Sequence, residues 1–221
     1  MKVFYWNCNG GLFKKLDTIL LFDADINIIV ECSYSDIIKL KEQFNCLWHG
    51  DIKKGIGIFA KKEVNLKILD DWQYKPFRYF LPFSANGISI IAVWACSSYI
   101  EEMYLFQFFN FNQISKNTFF VGDFNSNKIW DKEHSFRNHS AVIENFWGKG
   151  LCSIYHLLSG EEQGKESVFT FFMYRHKDRC YHIDYLFACP DKIKDFFIGN
   201  FDDWSKYSDH VPLSFYIVSF S

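Results

Sequence analysis

Five times along this chain an apolar, β-prone run ends, or is interrupted, at an acidic residue or an amide. Asn7 and Asn9 follow Phe4-Tyr5-Trp6, and Glu31 follows Ile28-Ile29-Val30. Asp123 and Asn125 follow Phe119-Phe120-Val121. Asp184 lies inside Tyr181-His182-Ile183-Asp184-Tyr185-Leu186-Phe187, and Asp209-His210 comes just before Val211-Pro212-Leu213. Any one of these reads equally as a strand-end cap or a turn, because Asp, Asn, Ser and Gly favour both. Asp184 is more constraining. A carboxylate within a central apolar strand is costly to bury unless it is paired or bound to a cation. A fold that buries this strand must bring partners to it, and the other strand ends are the candidates. Residues two apart on a strand share a face, so Asp123 and Asn125 leave their strand together.

The rest of the chain reads as short strands with helices between them. Residues 2–6 form a first strand. Leu12, Leu16, Ile19 and Leu20 then recur at helical spacing. Residues 26–30 are a strand that stops on Glu31, and residues 36–44 a helix with Ile37, Leu40 and Phe44 on one side. Residues 47–49, 55–60, 64–69, 78–82 and 88–94 are short strand candidates. Lys-Lys, Asp-Asp, Pro and Gly turns separate them, as in antiparallel hairpins. Residues 101–111 read as a helix with Glu101 and Glu102 in its first turn, where the macrodipole favours acids. The strand at 118–121 follows, then a helix at 138–147 closed by Gly148 and Gly150. Late strands are expected at 151–155, 167–174, 181–188, 196–199 and 213–218. No repeat, low-complexity block or long linker interrupts the pattern, so residues 1–221 read as a single domain. Strands outnumber helices and the two halves are alike. The expected class is α/β (α+β), with two β-sheets packed together and helices outside.

Composition narrows the function classes. The chain is 49% hydrophobic and 20% aromatic, with 26 Phe, which excludes a disordered chain. Its formal net charge of -2 sets it apart from strongly basic duplex-binding modules. Contact with nucleic acid would run through a local patch or through metal ions. The seven Cys are odd in number and include no CxxC pair, so neither a zinc site nor a disulfide framework is expected. The first residues lack the segments of a signal peptide, and no apolar stretch is long enough to span a membrane. A soluble, cytoplasmic protein is the expectation.

Oxygen donors at strand ends suit Mg²⁺ or Mn²⁺ rather than zinc. His210 adds a group that moves protons near neutral pH. In an extended chain Asp209 points away from His210, so Asp184, from a neighbouring strand, is its candidate partner. A hard cation, amide donors and a carboxylate-held imidazole together fit hydrolysis of a phosphate ester.

In this order the motifs resemble the endonuclease/exonuclease/phosphatase superfamily, the group of deoxyribonuclease I, repair nucleases, inositol polyphosphate 5-phosphatases and sphingomyelinases. The resemblance rests on Trp6-Asn7-Cys8-Asn9-Gly10, Ile28-Ile29-Val30-Glu31, Gly122-Asp123-Phe124-Asn125, Ile183-Asp184-Tyr185 and Ser208-Asp209-His210. It implies a four-layer sandwich, two packed mixed/antiparallel sheets flanked by helices, with the site at one edge where the sheets meet. By the same resemblance Glu31 is the principal metal ligand, with Asn7 close by and Asp209 assisting. Asp123 orients or deprotonates the attacking water. Asn125 holds the scissile phosphate or the nucleophile. His210 contacts the phosphate, and Asp184 orients it.

The chain departs from the family at two places. Nuclease relatives often carry an acidic residue at the position of Asn9. A His or Tyr usually reaches the phosphate after the strand at 88–93, where this chain reads Trp94-Ala95-Cys96-Ser97-Ser98-Tyr99. Trp94 falls nearest that position and Tyr99 is the nearby hydroxyl. With Asn9 and His156, these form the candidate substrate contacts. Trp130 and Tyr155 are candidates to stack on a base, with core packing as the alternative. Lys53-Lys54 and Lys61-Lys62 read as phosphate contacts or as solvated turns. The expected function is a metal-dependent phosphodiesterase, with DNA or RNA as substrate. A phosphatase for a small molecule or lipid headgroup is the alternative, and a catalytically silent binding module the third reading.

Overall fold

From the first strand Val3 and Tyr5 face one way and Phe4 and Trp6 the other, and all four are buried. A strand apolar on both faces needs cover on both, and that requirement sets the layering. The structure is a computed structural model and describes residues 1–218. In chain order its elements are β1 (Lys2–Asn7), α1 (Leu16–Leu20), β2 (Ile26–Cys32), α2 (Tyr34–Leu40), β3 (Asn45–Gly50), β4 (Gly55–Ala60), β5 (Leu66–Ile68), β6 (Phe80–Ala85) and β7 (Ile88–Trp94). There follow α3 (Tyr99–Phe109), β8 (Thr118–Asp123), α4 (His139–Trp147), β9 (Cys152–Ser153), α5 (Ile154–Ser159), β10 (Phe171–Phe172) and β11 (Cys180–Tyr181). Last come β12 (Asp184–Ala188), β13 (Ile193–Ile198), α6 (Phe201–Trp204) and β14 (Leu213–Ile217).

Two six-stranded sheets carry the fold, in the orders β13-β14-β1-β2-β4-β3 and β5-β6-β7-β8-β12-β9, beside a small β10-β11 ribbon. Each sheet holds one parallel pair, β1 with β2 and β7 with β8, and each pair is joined through a helix. The other pairings are antiparallel. Three apolar layers result. Val3, Tyr5, Ile28, Leu81, Val121 and Leu186 meet between the sheets. Phe4, Trp6, Ile19, Ile37 and Trp204 lie between the first sheet and its helices. The third layer, under α3 and α4, is a run of rings: Phe80 to Phe106 at 4.9 Å, Phe120 to Phe146 at 4.8 Å and Phe146 to Phe187 at 4.5 Å. Burying a side chain of that size contributes about 1.5–3 kcal/mol, so the abundant Phe is structural here. The expected four layers are observed.

Several expected boundaries shift for identifiable reasons. The strand expected at 167–174 is reduced to Phe171–Phe172, because Tyr174 and Arg175 take left-handed φ of 55° and 59° and turn the chain back. The strand expected at 181–188 is broken in two, because the N–H groups of Ile183 and Asp184 both donate to Thr170 Oγ1 instead of to a neighbouring strand. The strand at 151–155 is only Cys152–Ser153, and Ile154 begins a helix. The second helix starts early, at Tyr34, because Ser33 accepts the Asp36 N–H as its cap, and it ends at Leu40.

The parallel pair in the second sheet leaves no room at Gly122. A Cβ there would lie 2.0 Å from the Val93 carbonyl oxygen. The Val93 backbone cannot yield as the end of a flexible side chain does. Gly122→Ala is therefore expected to lower the unfolding free energy by about 3 kcal/mol, read from urea denaturation. Gly10→Ala, where a Cβ meets nothing within 4 Å but φ is +74°, is expected to cost about 1 kcal/mol.

Candidate active site

The antiparallel register of β8 and β12 sets Asp123 directly opposite Asp184. Both carboxylates are buried, at 1% exposure each. Asp184 is satisfied from two sides. Tyr5, facing inward from the other sheet, donates its hydroxyl to Oδ1 at 2.7 Å, and His210 Nδ1–H donates to Oδ2 at 2.8 Å. Burial and then the Asp184 charge hold the Tyr5 pKa well above the usual phenol range, so Tyr5 stays a donor. Burial acts to lower the His210 pKa, but Asp184 and then Asp123 outweigh it and push it up to about 9. The ring is thus an imidazolium between two carboxylates, with Nε2 3.8 Å from Asp123 Oδ2. Asp123 is pushed up to about 7, by burial first and by Asp184, against the opposing pull of His210.

Asn7, at the end of β1, ties the group together. Its Nδ2 lies 3.0 Å from Asp123 Oδ2 and 3.1 Å from Glu31 Oε1. Its 3.3 Å approach to His210 Nε2 is a meeting of two donors around the shared Asp123 oxygen when the ring is charged. The N–H of Asn125 donates to Asp123 Oδ1 at 2.9 Å. Asn9, Glu31 and Asn125 all take left-handed φ, of 49°, 59° and 46°. Such strain in non-glycine residues clusters at functional sites. Ser208 Oγ donates to the Asn7 carbonyl and accepts the His210 N–H, while Trp6 Nε1 donates to the His210 carbonyl. Phe171 packs its ring 4.7 Å from that of His210.

The candidate metal ligands lie beside this group. A bulge between Val30 and Cys32 turns Glu31 out of the ladder at the strand end next to Asn7. Its Oε2 already holds a cation, the Lys54 ammonium, at 2.5 Å. Asn7 Oδ1 accepts the Asn9 N–H, and Asp209 Oδ1 accepts from Asn9 Nδ2 at 3.0 Å. Asp209 therefore meets Asn9 and not Glu31. The donors are oxygens, one of them carries a cation, and His210 is held through Nδ1 by Asp184. This set fits a hard divalent ion, as Mg²⁺ or Mn²⁺ requires. Asp123, Asp184 and His210 also cluster, with ligand atoms within 4.8 Å of one another, but Asp123 is already bonded by Asn7 and the Asn125 N–H, and Asp184 by Tyr5 and His210.

The remaining candidates separate. Tyr99 is exposed and shares a cleft of about 430 Å³ with Asn125, Trp130, Phe171, Tyr181 and Ile183. Trp94 does not reach it. Its ring is buried in the core and packs 4.4 Å from Tyr79. His156 does not line it either. It is held by Ser153 at 2.7 Å and Glu166 at 3.0 Å behind the site. Tyr155 is core, whereas Trp130 stands in the cleft wall against Tyr181. Lys61 pairs with Asp23 and Asp25, and Lys62 caps the carbonyls of Lys41 and Phe44. Sequence reasoning missed Tyr5, Thr170 and the Phe171 wall. Of the supporting residues, Trp6 and Ser208 lay in motifs.

Behind the site a buried polar cluster fixes the loop that follows Asp123. Asn127 Nδ2 donates to Glu166 and to the His182 carbonyl, at 3.0 Å each, and His139 Nδ1 lies 3.2 Å from Ser126 Oγ. Burial pushes His139 and His182 down to about 4. Both are therefore neutral in the folded chain at pH 7. On acidification the unfolded chain takes up these protons first, from about pH 6.5 downward. Stability falls from there until the folded pKa near 4 is reached. Between pH 7 and 5 each histidine is expected to cost on the order of 2 kcal/mol. Urea unfolding of His182→Asn at the two pH values is expected to show a decline smaller by that amount than wild type.

No family model and no curated protein matches the sequence. Solved structures do. The fold is similar to a 3′–5′ exonuclease, NExo, from Neisseria meningitidis, with a TM-score of 0.72 and 20% identity over 98% of this chain and 99% of that one. It is similar to an AP endonuclease from Archaeoglobus fulgidus, with a TM-score of 0.72 and 17% identity over 99% and 100%. It is also similar to TDP2 of D. rerio complexed with a single-strand DNA product, with a TM-score of 0.64 and 14% identity over 99% of each chain. Two mixed six-stranded sheets flanked by helices thus give the chain the same fold as these solved structures, the deoxyribonuclease I-like sandwich.

Proposed function

We propose that this protein is a divalent-metal-dependent phosphodiesterase that hydrolyses nucleic acid. The observation that carries the reading is the buried line Tyr5–Asp184–His210–Asp123, with Asn125, braced on Asp123, lining the cleft. Asp123, pushed up to about 7, suits a group that takes a proton from an attacking water near neutral pH. His210, held as an imidazolium, supplies positive charge to the phosphoryl oxygens as their charge develops. Asp184 fixes the charge and orientation of that ring, and Tyr5 fixes Asp184. Asn125, braced through its backbone on Asp123, presents its amide to the phosphate. Glu31 and Asn7, with Asp209 nearby, would hold Mg²⁺ or Mn²⁺, which neutralises phosphate charge.

Nucleic acid is favoured over a small phosphate ester by the cleft walls. Tyr99, Trp130, Phe171 and Tyr181 offer ring faces beside Asn125, and bases stack on such faces without regard to sequence. The alternative, a small-molecule or lipid-headgroup phosphatase, draws on the net charge of -2.

Asp123→Ala and His210→Ala are each expected to lower kcat/KM on DNA or RNA in Mg²⁺ by about 10²–10⁴. Rates equal to wild type on every nucleic acid tested would refute the reading. A rise in salt is expected to raise KM steeply for a nucleic acid, whereas a small phosphate ester would respond weakly.

A further inference from the structure

The ion pair between Lys54 and Glu31 joins a cation of the chain to the carboxylate best placed for a metal. It forms where a strand bulge frees the carboxylate beside the start of β4. Glu31 is the unpaired residue of the bulge between the Val30–Ile56 and Cys32–Gly55 pairs, and Lys54 immediately precedes Gly55, so its long side chain reaches back to the freed carboxylate. The ammonium lies 2.5 Å from Oε2 and 5.8 Å from the centroid of the Trp94 ring, which forms its floor. Glu31 Oε1 is engaged by Asn7, so the lysine takes the other oxygen. The lysine side chain is 52% exposed and free to swing away, whereas Glu31 is 17% exposed and fixed by its strand. On its solvent side lies an open groove of about 630 Å³ lined by Lys53, Lys54 and Arg78, with Asp51 on its wall.

We propose that Lys54 is the exchangeable counter-ion of Glu31, displaced by the divalent ion that Glu31 takes up and transferred to a phosphodiester of the substrate strand in the adjoining groove. The inference rests on the reading that Glu31 binds a divalent ion. An ammonium and a dication on one carboxylate repel each other, so they compete for it. While the lysine is on Glu31 the carboxylate is neutralised. Once the metal replaces it, the released charge faces a groove of the size and sign that a phosphate backbone requires. Metal uptake and substrate uptake are thereby linked through one side chain.

The test is titration of Mn²⁺, followed by calorimetry, into wild type, Lys54→Met, Lys53→Met and Glu31→Gln. Lys54→Met is expected to bind Mn²⁺ about tenfold more tightly than wild type, the scale of removing one like charge a few ångströms away in a water-like dielectric. Lys53→Met removes the same formal charge one residue away and is expected to leave the affinity close to wild type. Glu31→Gln is expected to abolish the site. Affinity in Lys54→Met no greater than in Lys53→Met, with binding lost in Glu31→Gln, overturns the exchange and leaves the metal reading intact. No Mn²⁺ binding in wild type or in Lys54→Met overturns both. The second arm is anisotropy of a short single-stranded oligonucleotide in Mg²⁺ on an Asp123→Asn background. Adding Lys54→Met is expected to reduce the slope of log affinity against log salt by about one, and an unchanged slope overturns the transfer.

Discussion

Everything at this site depends on a carboxylate that has no route to water. Asp184 sits in a strand whose neighbours are Tyr185, Leu186 and Phe187, all buried. An unpaired charge there would cost several kcal/mol. Its two partners come from opposite directions, Tyr5 from the first sheet and His210 from the loop before β14. Satisfying Asp184 therefore does two things at once. It pins the sheets to each other at one edge, and it charges and orients the imidazole that faces Asp123. Removing either partner leaves the other carboxylate contact to bear a buried charge alone, so the arrangement is kept or lost as a unit.

The geometry around this anchor follows from the ends of parallel strands. β1 with β2, and β7 with β8, each stop at the same edge, and their last residues include Asn7 and Asp123. The chain then makes abrupt turns, through left-handed residues at Asn9 and Asn125, and through the bulge that frees Glu31. Those turns aim polar groups at one point while the strands behind them stay apolar. Backbone strain and buried charge are thus concentrated where several rigid elements over-determine the structure.

How much of this was legible in the sequence depended on whether the signal was local. Asp184 announced itself because a carboxylate inside an apolar run has few structural excuses. The Gly-Asp-Phe-Asn and Ser-Asp-His stretches mark strand ends by composition alone, and the two-sheet architecture follows from strand number and spacing. Tyr5 was not legible, because an inward aromatic bonded to a carboxylate and one packed on leucines look identical in sequence. Trp94 and His156 failed for the converse reason. Each sits near a motif in the chain, yet Trp94 turns into the core and His156 is held by Glu166. The broken strands at 167–174 and 181–188 share a cause. Thr170 Oγ1 accepts two N–H groups from a segment more than ten residues away, and no local propensity reports a distant acceptor.

The pairing of the first strand with β14 has a consequence in time. β1 lies between β2 and β14, and its Asn7 and Tyr5 must meet Asp184 and His210, about two hundred residues further along the chain. β1 thus leaves the ribosome long before the strands that complete its set of neighbours. Until β12 and β14 have been synthesised, Tyr5 has no carboxylate and Asn7 no imidazole. Contacts this distant make for slow folding, and they also mean that a truncated chain holds the strands of the first half without a complete reactive edge. The same topology that buries the anchor therefore withholds the assembled site until β14 has been made.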